Sequence, residues 1–360
     1  MRTTRWLIAV LAIFSLIAAA CGDDDDTEAG SAASESDSSS EATDDSAEAG
    51  EAAEVAGESE EAGSDWPDTL VYGAVPAENA QTIEDYVTPQ IIADELGVEI
   101  EFIQAADYAG VIEGTIAEEV DIASFGGFSY VIATGAGADL SVAGLWAGDD
   151  PSSIGDYRSY LITQPGSDVN TVADLRGKKV CFVDPGSTSG FLFPSALLLA
   201  EGIDPSETST DIEATFAGGH DASALAVANG DCDAGFAYDT MVTEQLIESG
   251  DIGGVIDEVE DETVNGDSAD LRIIDKSAPI AAPPLAVGNW LPESMQEAII
   301  EIVTTKVNVD WATENGYCES VDNCPLSDGP FWGYLAGDDA YFDPIRELCD
   351  LTGSAKCEAN

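Results

Sequence analysis

Apolar and polar positions between residues 66 and 300 follow two alternating rhythms. Short runs rich in Val, Ile and Phe, bounded by Gly, Asp or Asn, predict strands at Thr69–Ala74, Val98–Ile103, Val120–Phe125, Tyr157–Thr163, Lys178–Val183, Ile212–Phe216, Cys232–Tyr238 and Leu271–Ile274. Between them, longer stretches predict helices over Ile83–Leu96, after Asp107-Tyr108-Ala109-Gly110, and over Phe191–Ala200, Ala222–Asn229 and Met295–Asp310. Gly97, Gly202 and Gly230 stand where three of these helices stop. Strands alternating with helices imply mostly parallel sheets, whose ligand sites gather at the carboxyl ends of strands. Tyr108 and the Phe125-Gly126-Gly127 turn fall at such ends. Tyr157–Thr163 and Leu271–Ile274 read as two strands crossing between lobes, which divides the folded part into 66–160 plus 275–360 and 161–274.

One stretch carries chemistry as well as pattern. Lys178–Gly190 reads as a buried strand, a Pro185-Gly186 turn and three successive hydroxyls, Ser187-Thr188-Ser189, before a helix with Pro194 in its first turn. Ser and Thr cap helices, and the first turn presents unpaired N–H groups with a partial positive charge, so the turn is a seat for an anion. A cap needs one hydroxyl, and three exceed that need. No Gly-Lys-Ser/Thr follows, which excludes a Walker A loop, and Thr188 occupies the central slot of Gly186–Gly190, which excludes a nucleophile elbow. His220, the only histidine, stands in the turn at the N-terminus of the next helix, one strand–helix unit later, where a neutral imidazole can donate to a bound oxyanion.

The ends of the chain indicate its compartment. Arg2 and Arg5 precede the apolar run Trp6–Ala20, too short to span a membrane comfortably, and Ala18-Ala19-Ala20 leads to Cys21. This resembles a lipoprotein signal peptide with Cys21 as the lipidated residue, the competing expectations being a plain secretory signal or an uncleaved anchor. Residues 22–65 hold seventeen of the 71 acidic residues and none of the eleven basic ones, the composition of a disordered tether reaching about 35–40 Å. With Arg2 and Arg5 also set aside, the remaining 54 acids and nine bases leave −45, which argues against nucleic acid or anionic membrane surfaces as partners. Six further cysteines suit an oxidising exterior. Cys181 and Cys232 are expected to pair, and the connectivity of Cys318, Cys324, Cys349 and Cys357 is open. The chain has no CxxC, and its one histidine is far from these four, so no metal site is expected.

Together, Ala106–Gly110, Val120–Ala123, the Ser187–Leu192 run and Gly219-His220-Asp221 through Ala224–Asn229 resemble the phosphate/phosphite/phosphonate-binding subunits of ABC importers. The resemblance covers most of residues 69–300. It implies an α/β, two-lobed periplasmic binding protein of the type II kind, with two crossover hinge strands and no enzymatic activity or cofactor. It also implies an ABC permease as partner; with the signal segment and Cys21, the expectation is a monomer held at the extracytoplasmic face of the membrane. Carried over residue by residue, it assigns the ligand's oxygens to Ser187, Thr188, Ser189 and His220, with Tyr108 and Tyr157 facing them. Phe125 stands where members carry Tyr.

Members that take 2-aminoethylphosphonate hold its ammonium with acidic residues, and the matching positions here are Thr240 and Pro283. Asp239 is adjacent, where a carboxylate can accept the proton of a partly protonated phosphate or phosphite. The expected ligand is therefore phosphate, phosphite or a small alkylphosphonate. Competing expectations are a binding protein for sulfonate, nitrate or a vitamin precursor, a hydrolase using Ser187 or Ser189 with His220 and Asp239, and a surface protein without a small ligand.

Overall fold

The computed structural model describes residues 65–76, 86–148, 151–265, 268–326 and 331–358. The signal segment, Cys21 and the tether up to residue 64 lie outside them, as do residues 83–85 of the first expected helix. In chain order, the first lobe opens with β1 (Thr69–Ala74), α1 (Val87–Leu96), β2 (Glu99–Gln104), α2 (Tyr108–Ile116), β3 (Ile122–Ser124), α3 (Gly127–Gly135) and β4 (Leu140–Trp146). A two-residue strand, β5 (Asp156–Tyr157), leads to β6 (Ser159–Thr163), and then follow β7 (Lys179–Phe182), α4 (Phe193–Ala200), β8 (Glu213–Phe216), α5 (His220–Ala228) and β9 (Ala234–Tyr238). The second lobe closes with α6 (Leu246–Glu248), β10 (Val255–Asp257), β11 (Glu262–Val264) and β12 (Leu271–Lys276). The chain returns through β13 (Ile280–Ala281) to β14 (Pro284–Gly288), α7 (Glu293–Thr305), α8 (Val309–Glu314), β15 (Tyr334–Leu335) and α9 (Asp343–Thr352).

The described strands form a six-stranded sheet, β15-β4-β14-β3-β1-β2, and a seven-stranded sheet, β11-β10-β12-β6-β9-β7-β8. Both are mixed rather than mostly parallel. β1, β2 and β3 pair in parallel, as do β8, β7 and β9, but β14 is antiparallel to β3 and β4, and β6 is antiparallel to β9 and β12. The reversed strands β6 and β14 are the first to follow each crossing, so the crossings themselves break the parallel pattern. The crossing is a two-stranded antiparallel ribbon in which Tyr157 faces Ile280 and Asp156 faces Ala281. The expected strand over Tyr157–Thr163 is accordingly divided at Arg158, and Leu271–Ile274 belongs to β12 inside the second sheet.

Both faces of the second sheet are covered, which explains the continuous apolar run in β7. Val180 and Phe182 point into a cluster with Leu198 and Phe236, and Cys181 points into another with Val227 and Leu246. Phe182 stacks on Phe236 at 5.6 Å, and full burial of one such side chain contributes about 1.5–3 kcal/mol. Cys181 and Cys232 are joined, as are Cys318 with Cys324 and Cys349 with Cys357. The tail, within the range 275–360 expected in the first lobe, reaches the second lobe as well. α9 packs on α3 and also on α4 of the second lobe, where Ile345, Phe342 and Cys349 join Val183 and Leu192 in one cluster. The helix expected over Met295–Asp310 is two helices, because Asn308 caps a new one by accepting from the Trp311 N–H.

Candidate functional site

Tyr108, Tyr157, Ser187, Thr188, Ser189, His220 and Asp239 all line one cavity of about 460 Å³ between the lobes. The hydroxyl turn is shaped by its own packing. Ser187 caps a wide helical turn, Thr188–Leu192, by accepting from the Gly190 N–H at 3.0 Å. Gly190 lies so close to β7 that a Cβ there would stand 2.3 Å from Val183 Cγ2, so this position admits no side chain. Pro194 lies in the first turn of α4, where its missing N–H costs nothing.

His220 is the first residue of α5, two residues earlier than the helix start read from the sequence. Its Nδ1 accepts the Tyr238 N–H at 3.2 Å, so in the neutral ring the proton sits on Nε2, which lies 3.4 Å from Ser187 Oγ. Burial pushes the imidazole down from 6.5 to about 3, keeping it neutral. A neutral ring with Nε2–H is a donor and cannot take a proton from Ser187. Asp239 does not orient the ring either, because its carboxylate accepts from the backbone N–H groups of Arg158 at 2.9 Å and Thr240 at 3.0 Å. The hydrolase expectation fails on this geometry.

The other hydroxyls converge on the same point. The Tyr157 hydroxyl, on the crossing ribbon, is buried beside those of Thr188 and Ser189; burial pushes it up to about 12, and the two neighbouring hydroxyls act against that rise. Thr188 Oγ1 accepts the Phe128 N–H at 2.9 Å, a bond from the first lobe to the second. Gly126 makes that approach possible, since a Cβ there would stand 3.0 Å from Thr188 Oγ1. Ser159 Oγ donates to the Ser189 carbonyl at 2.6 Å and pins the turn to β6. Asp239 is raised, chiefly by burial, and the N–H groups it accepts counter the rise in part. Among the described residues, no Lys or Arg lines the cavity. The amino ends of α2, α3, α5 and the Thr188 turn meet there and bring partial positive charge to it.

Several lining residues lie outside the expected set. The amino end of α3 follows directly from Gly126-Gly127 at the end of β3, and Tyr238 directly precedes Asp239. Trp146 ends β4, a strand that was not among those expected, and Phe331 comes from the distant tail and has no local signal. Thr240 and Pro283 line the cavity too, with Asp156 and Glu244 supplying carboxylates at other positions.

Two lobes joined by a strand ribbon around an anion-seating cleft define a periplasmic binding protein. The family of periplasmic substrate-binding proteins of ABC phosphonate transporters matches residues 72–307, and the chain belongs to it. It is the substrate-binding protein of an ABC importer, not an enzyme. The chain is 41% identical to the phosphate-import protein PhnD of Mycolicibacterium smegmatis, over 81% of this chain and 88% of that protein. It is 34% identical to the phosphonates-binding periplasmic protein of Escherichia coli over 44% of this chain and 47% of that one. Among solved structures, the fold matches PhnD1 of Prochlorococcus marinus in complex with methylphosphonate, with TM-score 0.62 and 16% identity over 80% of this chain and 99% of that one. Among the described residues, no helix is long and apolar enough to cross a membrane.

Proposed function

We propose that the protein captures a phosphorus oxyanion, whether phosphate, phosphite or an alkylphosphonate, between its lobes and delivers it to an ABC permease. The observation that carries this reading is the meeting of the Ser187–Ser189 hydroxyls with the His220 Nε2–H in a cavity that no Lys or Arg lines among the described residues. Ser187, Thr188 and Ser189 hold the oxygens from the second lobe, and Tyr108 and Tyr157 close on them from the first lobe and the ribbon. Asp239 accepts the proton of a partly protonated ligand, a proton that sulfate lacks at neutral pH. Hydrogen bonds to a charged group contribute about 1.5–3 kcal/mol each, so four or five reach the roughly 8 kcal/mol of micromolar binding after association costs. The two lobes turn on the ribbon of β5 and β13. The chain works as a monomer, with Cys21 as a lipid anchor and residues 22–65 as the tether.

Thermal unfolding of the full chain with phosphate, phosphite, methylphosphonate, 2-aminoethylphosphonate and sulfate in turn tests the reading. A ligand at about one hundred times its Kd adds roughly 2.7 kcal/mol. Stabilisation by the phosphorus compounds and not by sulfate is expected. Stabilisation by sulfate alone would transfer the site to another anion class.

A further inference from the structure

Three successive hydroxyl residues reach one cavity because their turn is wider than an α-helical one, and that width has to be held. Leu192 N–H donates to the Ser187 carbonyl and Phe193 N–H to that of Thr188, each five residues back. Such spacing rotates successive side chains by less than the about 100° of an α-helix, so Ser187, Thr188 and Ser189 share one wall. The next bond of this series would run from residue 194 to the Ser189 carbonyl. Residue 194 is proline and has no N–H to give.

The missing N–H is harmless because another donor serves that carbonyl. Ser159 Oγ, on a buried residue at the start of β6, donates to it at 2.6 Å. The Gly190 carbonyl, which an α-helical turn would pair with residue 194, accepts the Val183 N–H at 3.2 Å instead. Both carbonyls that the proline deprives are thus held from outside the helix, one of them by a side chain. Ser159 is itself fixed, since its N–H donates to Ser277 Oγ at 2.9 Å and its carbonyl accepts the Ser277 N–H at 2.8 Å. On β9 it faces Tyr238, whose N–H orients His220.

We propose, on the reading of the site given above, that Ser159 is a positioning residue: its hydroxyl supplies the donor that Pro194 withholds and so keeps the Ser187–Ser189 turn wide for the anion. Ser159 does not line the cavity, so it acts through the turn. Calorimetric titration of the full chain with phosphate and methylphosphonate, alongside thermal unfolding, tests this in wild type, Ser159→Ala, Pro194→Ala and the double variant. Ser159→Ala is expected to raise the Kd about tenfold. Pro194→Ala returns an N–H to residue 194, so the double variant is expected to regain most of the affinity lost in Ser159→Ala, a coupling that a hydroxyl serving the fold alone would not produce. A Ser159→Ala protein that melts earlier but binds with unchanged Kd overturns the inference and leaves the ligand reading intact. A double variant that binds no better than Ser159→Ala overturns the pairing of Ser159 with Pro194. If the double variant does not fold, Ser159→Ala, which removes one oxygen, carries the test through its Kd. Failure of the wild type to bind either anion overturns the ligand reading and this inference with it.

Discussion

His220 joins two roles that are usually separate, since the burial that makes it a neutral donor also makes folding sensitive to acid. The folded imidazole titrates near 3 and the unfolded one near 6.5, so the unfolded chain holds more protons between those values. Stability therefore falls as pH drops through that window, by about 1.4 kcal/mol per unit. Asp184 and Asp239 act in the opposite sense. Burial raises both, so each favours the folded state at low pH and loses that contribution as pH rises through its folded value. Comparison with His220→Gln isolates the imidazole. Between pH 7 and pH 5 the wild type is expected to lose about 2 kcal/mol more than this variant in urea unfolding, and parallel curves would remove the buried neutral ring from the account. In ligand titrations, Ser189→Ala and His220→Ala are each expected to raise the Kd for phosphate about ten- to a hundredfold, one charge-assisted hydrogen bond apiece. Unchanged affinity in both, with circular dichroism intact, would dismiss the proposed seat.

At the scale of elements, the two units of the second lobe proposed to face the anion are tied together covalently. Cys181 lies in β7, which leads to the Ser187 turn, and Cys232 follows α5, which begins with His220. The bridge closes a chain of 51 residues, for which loop entropy gives about 4 kcal/mol as an upper figure and typical losses are 2–4. Removing it with Cys181→Ala/Cys232→Ala is expected to lower unfolding free energy by that amount and to weaken phosphate binding as the two turns lose their common frame. A destabilised protein with unaltered affinity would show that the bridge serves the fold alone. These same units were the most legible in the sequence. β1 matches its expected bounds, and the hydroxyl turn, its proline and its glycine stop are local features whose physics is complete within a dozen residues. The direction of β6 and β14, the division of the crossing strand at Arg158 and the arrival of Phe331 depend on pairings across more than a hundred residues, which periodicity does not encode. His220 shows the boundary between the two: its place one unit after the turn was legible, but its tautomer is set by the Tyr238 N–H on a neighbouring strand.

At the scale of the whole molecule, an anion is to be captured by a chain of net charge −60, of which −45 belongs to residues 66–360. The resolution lies in range. The helix ends, hydroxyls and Nε2–H act within a few ångströms, whereas the repulsion of scattered carboxylates is screened beyond about 30 Å at 0.01 M salt and about 8 Å at 0.15 M. Affinity is thus set inside the cavity and encounter is set outside it, which separates the two in a salt titration. The association rate for phosphate is expected to rise severalfold between 0.01 and 0.15 M sodium chloride, opposite to the fall seen where basic residues steer an anion. The dissociation rate, governed by buried contacts, should change little. Trp146 lines the cavity and provides a fluorescence signal for stopped-flow mixing. Competition from chloride would act against the expected rise, so a rise cannot come from it. A rate that falls with salt would mean that the field at the cleft mouth is positive in spite of the net charge, and that the helix ends steer the ligand as well as hold it.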